Sequence, residues 1–75
     1  MNDGFDHDFL EKKLSSFVIL LSKDKISNIR FNSAILLKRL NLLTKKKDLL
    51  QEIKPCLEEM RRDPDPDVVN IIVDH

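Results

Sequence analysis

Glycine is almost missing from this chain. Gly4 is the only one in 75 residues, and it lies close to the N-terminus. A glycine-rich phosphate loop is therefore excluded, and so is the G-x-S-x-G elbow of the α/β-hydrolases. There is one cysteine, Cys56, so no internal disulfide can form and nothing argues for an oxidising compartment. Tryptophan and tyrosine are absent, and four phenylalanines are the only aromatics. Neither sign of charge prevails, because thirteen basic residues meet thirteen acidic ones. That balance removes any overall pull toward nucleic acid or anionic lipid. Long apolar runs are also lacking. The longest uncharged stretch, Leu14–Ser22, is far too short to cross a bilayer. Met1–Asp8 is acidic and polar, without the basic and apolar regions of a signal peptide. The expectation is a cytoplasmic or nuclear protein that binds neither membrane nor nucleic acid.

What remains is rich in helix formers. Charged residues make up 35% and apolar ones 41%, which fits one small globular domain. Leu, Lys and Glu dominate, no strand-like alternation occurs, and an all-α chain of four helices is predicted. The first helix is expected from about Asp8 to Lys23, its apolar face made by Phe9, Leu10, Leu14, Phe17, Val18 and Leu21. Asp6 or Asp8 would cap it. After a turn at Asp24–Ser27, Ser27 is the predicted N-cap of a second helix, Asn28 to about Leu42. That helix carries a stripe of Ile29, Ser33, Leu36 and Leu40, widened by Ala34 and Leu37.

Thr44–Asp48 reads as a connection. A third helix, about Asp48 to Arg62, presents Leu49, Leu50, Ile53, Cys56, Leu57 and Met60. Pro55 inside it predicts a kink near Gln51–Pro55. Asp63-Pro64-Asp65-Pro66 is a turn, with Asp65 as N-cap and Pro66 as first residue of a last helix, Pro66–His75. The predicted organisation is a disordered 1–7, a first hairpin over 8–43, a linker at 44–47 and a shortened second hairpin over 48–75.

The two hairpins repeat. A shift of 39 residues, the separation of Asp24 from Asp63, lays Leu10 on Leu49, Leu14 on Ile53 and Phe17 on Cys56. It also lays Val18 on Leu57, Leu21 on Met60 and Ile29 on Val68. Apolar stripe and turn aspartate keep register at a spacing typical of helix-hairpin solenoids. The punctuation of the second unit resembles the HEAT repeat: Pro55 in its first helix, then Asp63, then Val68. The first unit supplies Asp24, Ile29 and the arginine Arg30, with Ser16 in the proline slot.

The resemblance narrows further. The run Lys23–Asn32, centred on Asn28-Ile29-Arg30-Phe31-Asn32, together with Glu52–Glu58 and Asp63–Val68, is similar to the C-terminal HEAT repeats of the scaffold (A) subunit of type 2A protein phosphatase. It spans roughly Phe9 to Ile72, which would be a small end portion of that family's long solenoid. The resemblance implies an α-α superhelix fragment with no catalytic residue and no cofactor. It implies a non-catalytic scaffold whose intra-hairpin turns hold the phosphatase catalytic subunit. Carried onto this chain, the contacts would be Lys25, Ile26 and Asn28 in the first turn and Arg62, Pro64 and Asp65 in the second. Asp24, Arg30 and Asp63 would form a structural ladder. The chain departs from the family at Val69, where a basic residue is usual, and at His75, where the family continues. Two hairpins are fewer than solenoids usually need, which predicts self-association through exposed apolar ends. The competing readings are a generic HEAT adaptor, importin-like or of the phosphatase-4 regulatory kind, and a non-functional fragment of a longer scaffold.

Other residues invite functional readings that their surroundings weaken. Lys38, Arg39 and Lys45–Lys47 form a basic cluster that could hold phosphate, but no aromatics interleave, and a solvated helix end is the simpler expectation. Cys56 falls on the apolar stripe, as an inert packed thiol would. His7 and His75 have no ligand-spaced companions, which argues against a metal site. Asp63, Asp65 and Asp67 alternate like a calcium loop but lack its glycine and distal glutamate.

Overall fold

A computed structural model describes residues 7–73, with side chains from Phe9 to Val73. The expectations for residues 1–6, for the His7 and Asp8 side chains, and for Asp74 and His75 lie outside the described residues. Within them the chain is all-α: α1 (His7–Leu21), α2 (Ser27–Leu43), α3 (Lys47–Met60) and α4 (Pro66–Val73). The helices pair as two hairpins, α1 with α2 and α3 with α4.

Aspartates make the turns inside both hairpins. Asp24 Oδ1 accepts from the Ile26 N–H at 2.9 Å, and Asp63 Oδ1 accepts from the Asp65 N–H at 2.9 Å. A short carboxylate that bonds the backbone two residues on folds the chain without glycine. Ser27 is not the cap of α2. It is the first helical residue, and extended Ile26 takes the cap position with no side-chain bond. The reason is local: Asp24 has already turned the chain, so Ile26 arrives where the helix begins. In the second hairpin the predicted cap forms. Asp65 Oδ1 accepts from the Asp67 N–H at 2.9 Å, with Pro66 at the first helical position. Pro55 is exposed and α3 runs through it from Lys47 to Met60.

Val18, Ala34, Leu37, Leu49, Ile53, Cys56, Met60 and Val68 form the core. All four helices contribute, and α2 touches the other three, whereas α1 and α4 do not meet. Along α3 the predicted stripe is the buried one. Along α1 it is not. Of its six residues Phe9, Leu10, Leu14 and Phe17 are exposed, Phe17 by 58%, whereas Val18 is buried and Leu21 half-buried; Ser15 of α1 and Ser22, just past its end, are buried with Val18. Leu36 of α2 is likewise exposed, while Ser33, Ala34 and Leu37 go inside. Ser15, Ser22, Ser33 and Ala34 are small enough to be enclosed between closely packed helices beside the larger core residues.

The hairpins lie alongside one another in the same sense. Ser22 meets Cys56, Lys23 meets Glu59, Arg30 meets Asp63 and Lys38 meets Ile71. The sequence separations are 34, 36, 33 and 33, so position rises in step along both units.

Candidate functional site

The two intra-hairpin turns stand side by side, and Arg30 joins them. Leaving the first turn of α2, its guanidinium donates from Nε to Asp63 Oδ2 at 2.8 Å and from Nη2 to Asp63 Oδ1 at 3.1 Å. Nη1 donates back to the carbonyls of Asp24 at 2.9 Å and Lys25 at 3.0 Å. One planar group thus holds the first turn by its backbone and the second by its carboxylate. The Arg30 and Asp63 side chains are only 15% and 7% exposed.

The electrostatics follow from this geometry. The hydrogen bond to Asp63 lifts the Arg30 guanidinium above its ordinary value; burial opposes the lift, and the charges of Asp63, Asp65 and Asp24 add to it. Burial pushes the Asp63 carboxyl up. The Arg30 hydrogen bond, the Asp65 N–H and the Arg30 charge together outweigh it and hold that carboxyl below the usual carboxylate range.

Beside this clamp lie the residues singled out as partner contacts. Lys25, Ile26 and Asn28 are exposed on the first turn, Ile26 by 58%. Arg62 and Pro64 are exposed on the second, and Asp65 is half-buried with its carboxylate used as the cap of α4. Asn28 and Asp65 share a shallow cleft of about 200 Å³ with Ser27, Phe31 and Asp67. Arg62 and Pro64 border another, of about 240 Å³, beside Ser22 and Glu59. The turns therefore make one continuous edge with an apolar tip at Ile26.

The remaining candidates fall elsewhere. Cys56 is buried in α3. The Ser22 hydroxyl donates to the Ile19 carbonyl, so the Cys56 thiol, 3.0 Å away, donates to the Ser22 oxygen. Asp63 and Asp65 spend their carboxylates on neighbouring N–H groups. Among the described residues no three His, Cys, Asp or Glu side chains gather to hold a metal ion. The basic cluster is not simply a solvated helix end, since Lys38 is half-buried and its ammonium donates to the Ile71 carbonyl of α4. The short helix there leaves carbonyls without intrahelical partners, which a nearby cation satisfies.

Sequence reasoning did not single out Lys23, which pairs with Glu59 at 3.3 Å across the hairpins, nor Lys38 as a cross-hairpin donor. Both partners lie a few residues short of one full repeat away, and that offset was the available signal. Among the described residues no helix is long and apolar enough to cross a membrane. No family model matches the chain, and no curated protein and no solved structure matches it.

Proposed function

We propose that this chain is a HEAT-type scaffold module of the type 2A protein phosphatase kind, binding a phosphatase catalytic subunit along its turn edge. One observation carries the reading. Two stacked turns are locked together by Arg30, and beside the lock they leave Lys25, Ile26, Arg62 and Pro64 uncommitted and outward. A stiff edge with an apolar anchor and flanking cations binds at small entropic cost, because little has to be ordered on association. No chemistry is needed of such a module. Its work is to hold a partner in place. The Asn28–Asn32 run supports the phosphatase scaffold over a generic HEAT adaptor.

The test is capture of purified type 2A catalytic subunit by the full chain. Replacing Lys25 and Ile26 together by alanine should weaken capture about tenfold or more, as loss of an anchor residue does, with helicity unchanged. Equal capture by both chains would remove the turn edge as the binding site. No capture by either would remove the phosphatase assignment.

A further inference from the structure

Six side chains carry an aliphatic hydroxyl: Ser15, Ser16, Ser22, Ser27, Ser33 and Thr44. Four of them are enclosed. Ser15, Ser22, Ser33 and Thr44 are buried. Ser22 donates to the Ile19 carbonyl, Ser33 donates to the Arg30 carbonyl, and Thr44 Oγ1 accepts from the Lys46 N–H. Ser16 is exposed, but it lies in the middle of α1 with its backbone in the helix. Ser27 differs from all of these. It opens α2, it is half-buried, and among the described residues its hydroxyl has no hydrogen-bond partner. The residue before it, Ile26, is extended, with φ −84° and ψ 120°. The chain leading into Ser27 is thus a turn, exposed at Lys23, Lys25 and Ile26.

Lys23 and Lys25 stand four and two residues before this serine. Lys23 pairs with Glu59, but both side chains are exposed, and such a pair releases readily. We propose that Ser27 is a phosphorylation site for a kinase that selects basic flanks, and that its phosphate uncouples the two intra-hairpin turns. In the transfer the Ser27 Oγ attacks the γ-phosphorus of ATP. The Oγ–P bond forms as the bond from that phosphorus to the β,γ-bridging oxygen breaks. ADP leaves, and the hydroxyl proton passes to the catalytic aspartate of the kinase.

The consequence follows from what shares the cleft beside Ser27. Asp65 and Asp67, of the second turn and the start of α4, line it from the other hairpin. A phosphoserine adds a charge of about −1.5 to −2 at neutral pH. Three like-charged groups then meet across the seam and repel one another. Arg30 lies one turn along α2, and its guanidinium is already committed to Asp63 and to the carbonyls of Asp24 and Lys25. A phosphate at an i,i+3 position competes with Asp63 for that guanidinium. Both effects part the second turn from the first. A local effect has the opposite sense, because α2 starts without a side-chain cap and an anion in its first turn suits the free N–H groups there. The phosphate therefore steadies the start of α2 while it detaches the start of α4. None of this depends on what binds the turn edge.

The experiment incubates the full chain with the catalytic domain of protein kinase C and MgATP, and mass spectrometry maps the phosphate. Ser27 should carry it, and Ser27→Ala should lose it. No incorporation, or incorporation at Ser16 instead, would overturn the site. Hydrogen exchange then compares the phosphorylated chain with its parent. Amides of α4 should exchange about tenfold faster or more, as a loosened unit does, while α1 keeps its protection. Asp65→Asn with Asp67→Asn removes both charges and leaves a capping side chain at the start of α4. Phosphorylation of that variant should speed α4 exchange severalfold less. Unchanged exchange in α4, an equal acceleration in the variant, or loss of protection through the whole chain would overturn the uncoupling.

Discussion

Arg30 and Asp63 are 33 residues apart in sequence and meet through two hydrogen bonds, at 2.8 and 3.1 Å, within the seam between the hairpins. The same guanidinium holds two backbone carbonyls of its own turn. Lysine is a point charge on a flexible stem and cannot span these four acceptors. Arg30→Lys should therefore lower the melting temperature and speed hydrogen exchange in α4, the helix that follows Asp63. A thermal melt and exchange profile matching those of the parent chain would show that the clamp contributes little.

The clamp also sets a pH dependence. Asp63 titrates below its ordinary value when folded, so its contribution is present above the unfolded carboxylate value, about 3.9. It is lost as pH falls through the lower, folded value. Asp63→Asn should melt lower than the parent chain at neutral pH, and the gap should close as pH drops below about 4. Melts between pH 7 and pH 2 check this, and a gap independent of pH would refute it. Arg30 stays charged throughout that window, as any guanidinium does so far below its ordinary value.

The two faces of α1 should respond oppositely to substitution. Leu14→Glu with Phe17→Glu falls on exposed positions and should change stability by no more than about 0.5 kcal/mol. The same pair should reduce self-association at high concentration, read by sedimentation. Ile53→Ala opens a cavity in the core of α3 and should cost about 3 kcal/mol. Urea melts of the variants decide, and a large loss from the α1 pair would show that its stripe is covered after all.

Cys56 should be protected from alkylation in the folded chain, since the thiol is buried against the Ser22 hydroxyl. Reaction with an iodoacetamide reagent should track unfolding and accelerate in urea. Native-state labelling as fast as in urea would place the thiol at the surface.

Most of the architecture was legible from the chain alone, and the reasons differ by element. In α3 one apolar stripe runs between polar flanks, so periodicity identifies the buried side without ambiguity. Two adjacent stripes compete in α1. The oilier one, Leu10, Leu14 and Phe17, is exposed, and the one holding Val18 between two serines is buried. Periodicity says which residues share a side of a helix. It does not say where a neighbour sits, and Ser15 and Ser22 have no sequence signature as buried residues. The turns were legible because aspartate and proline chemistry is local. Ser27 failed as a cap because Asp24 had already met the same need two residues earlier. The positions of Lys25, Ile26 and Pro64 on the exposed edge follow from those turns.

Only Thr44, Lys45 and Lys46 join the two hairpins, while the links between the units are spread over much of α2 and the ends of α1 and α3. Severing one peptide bond there, after Lys45 for example, would leave two pieces that still recognise one another. Each half would be a template for the other, so the molecule lends itself to reassembly from separately made parts. Its cohesion would then be a measurable dissociation constant rather than a property of a single strand.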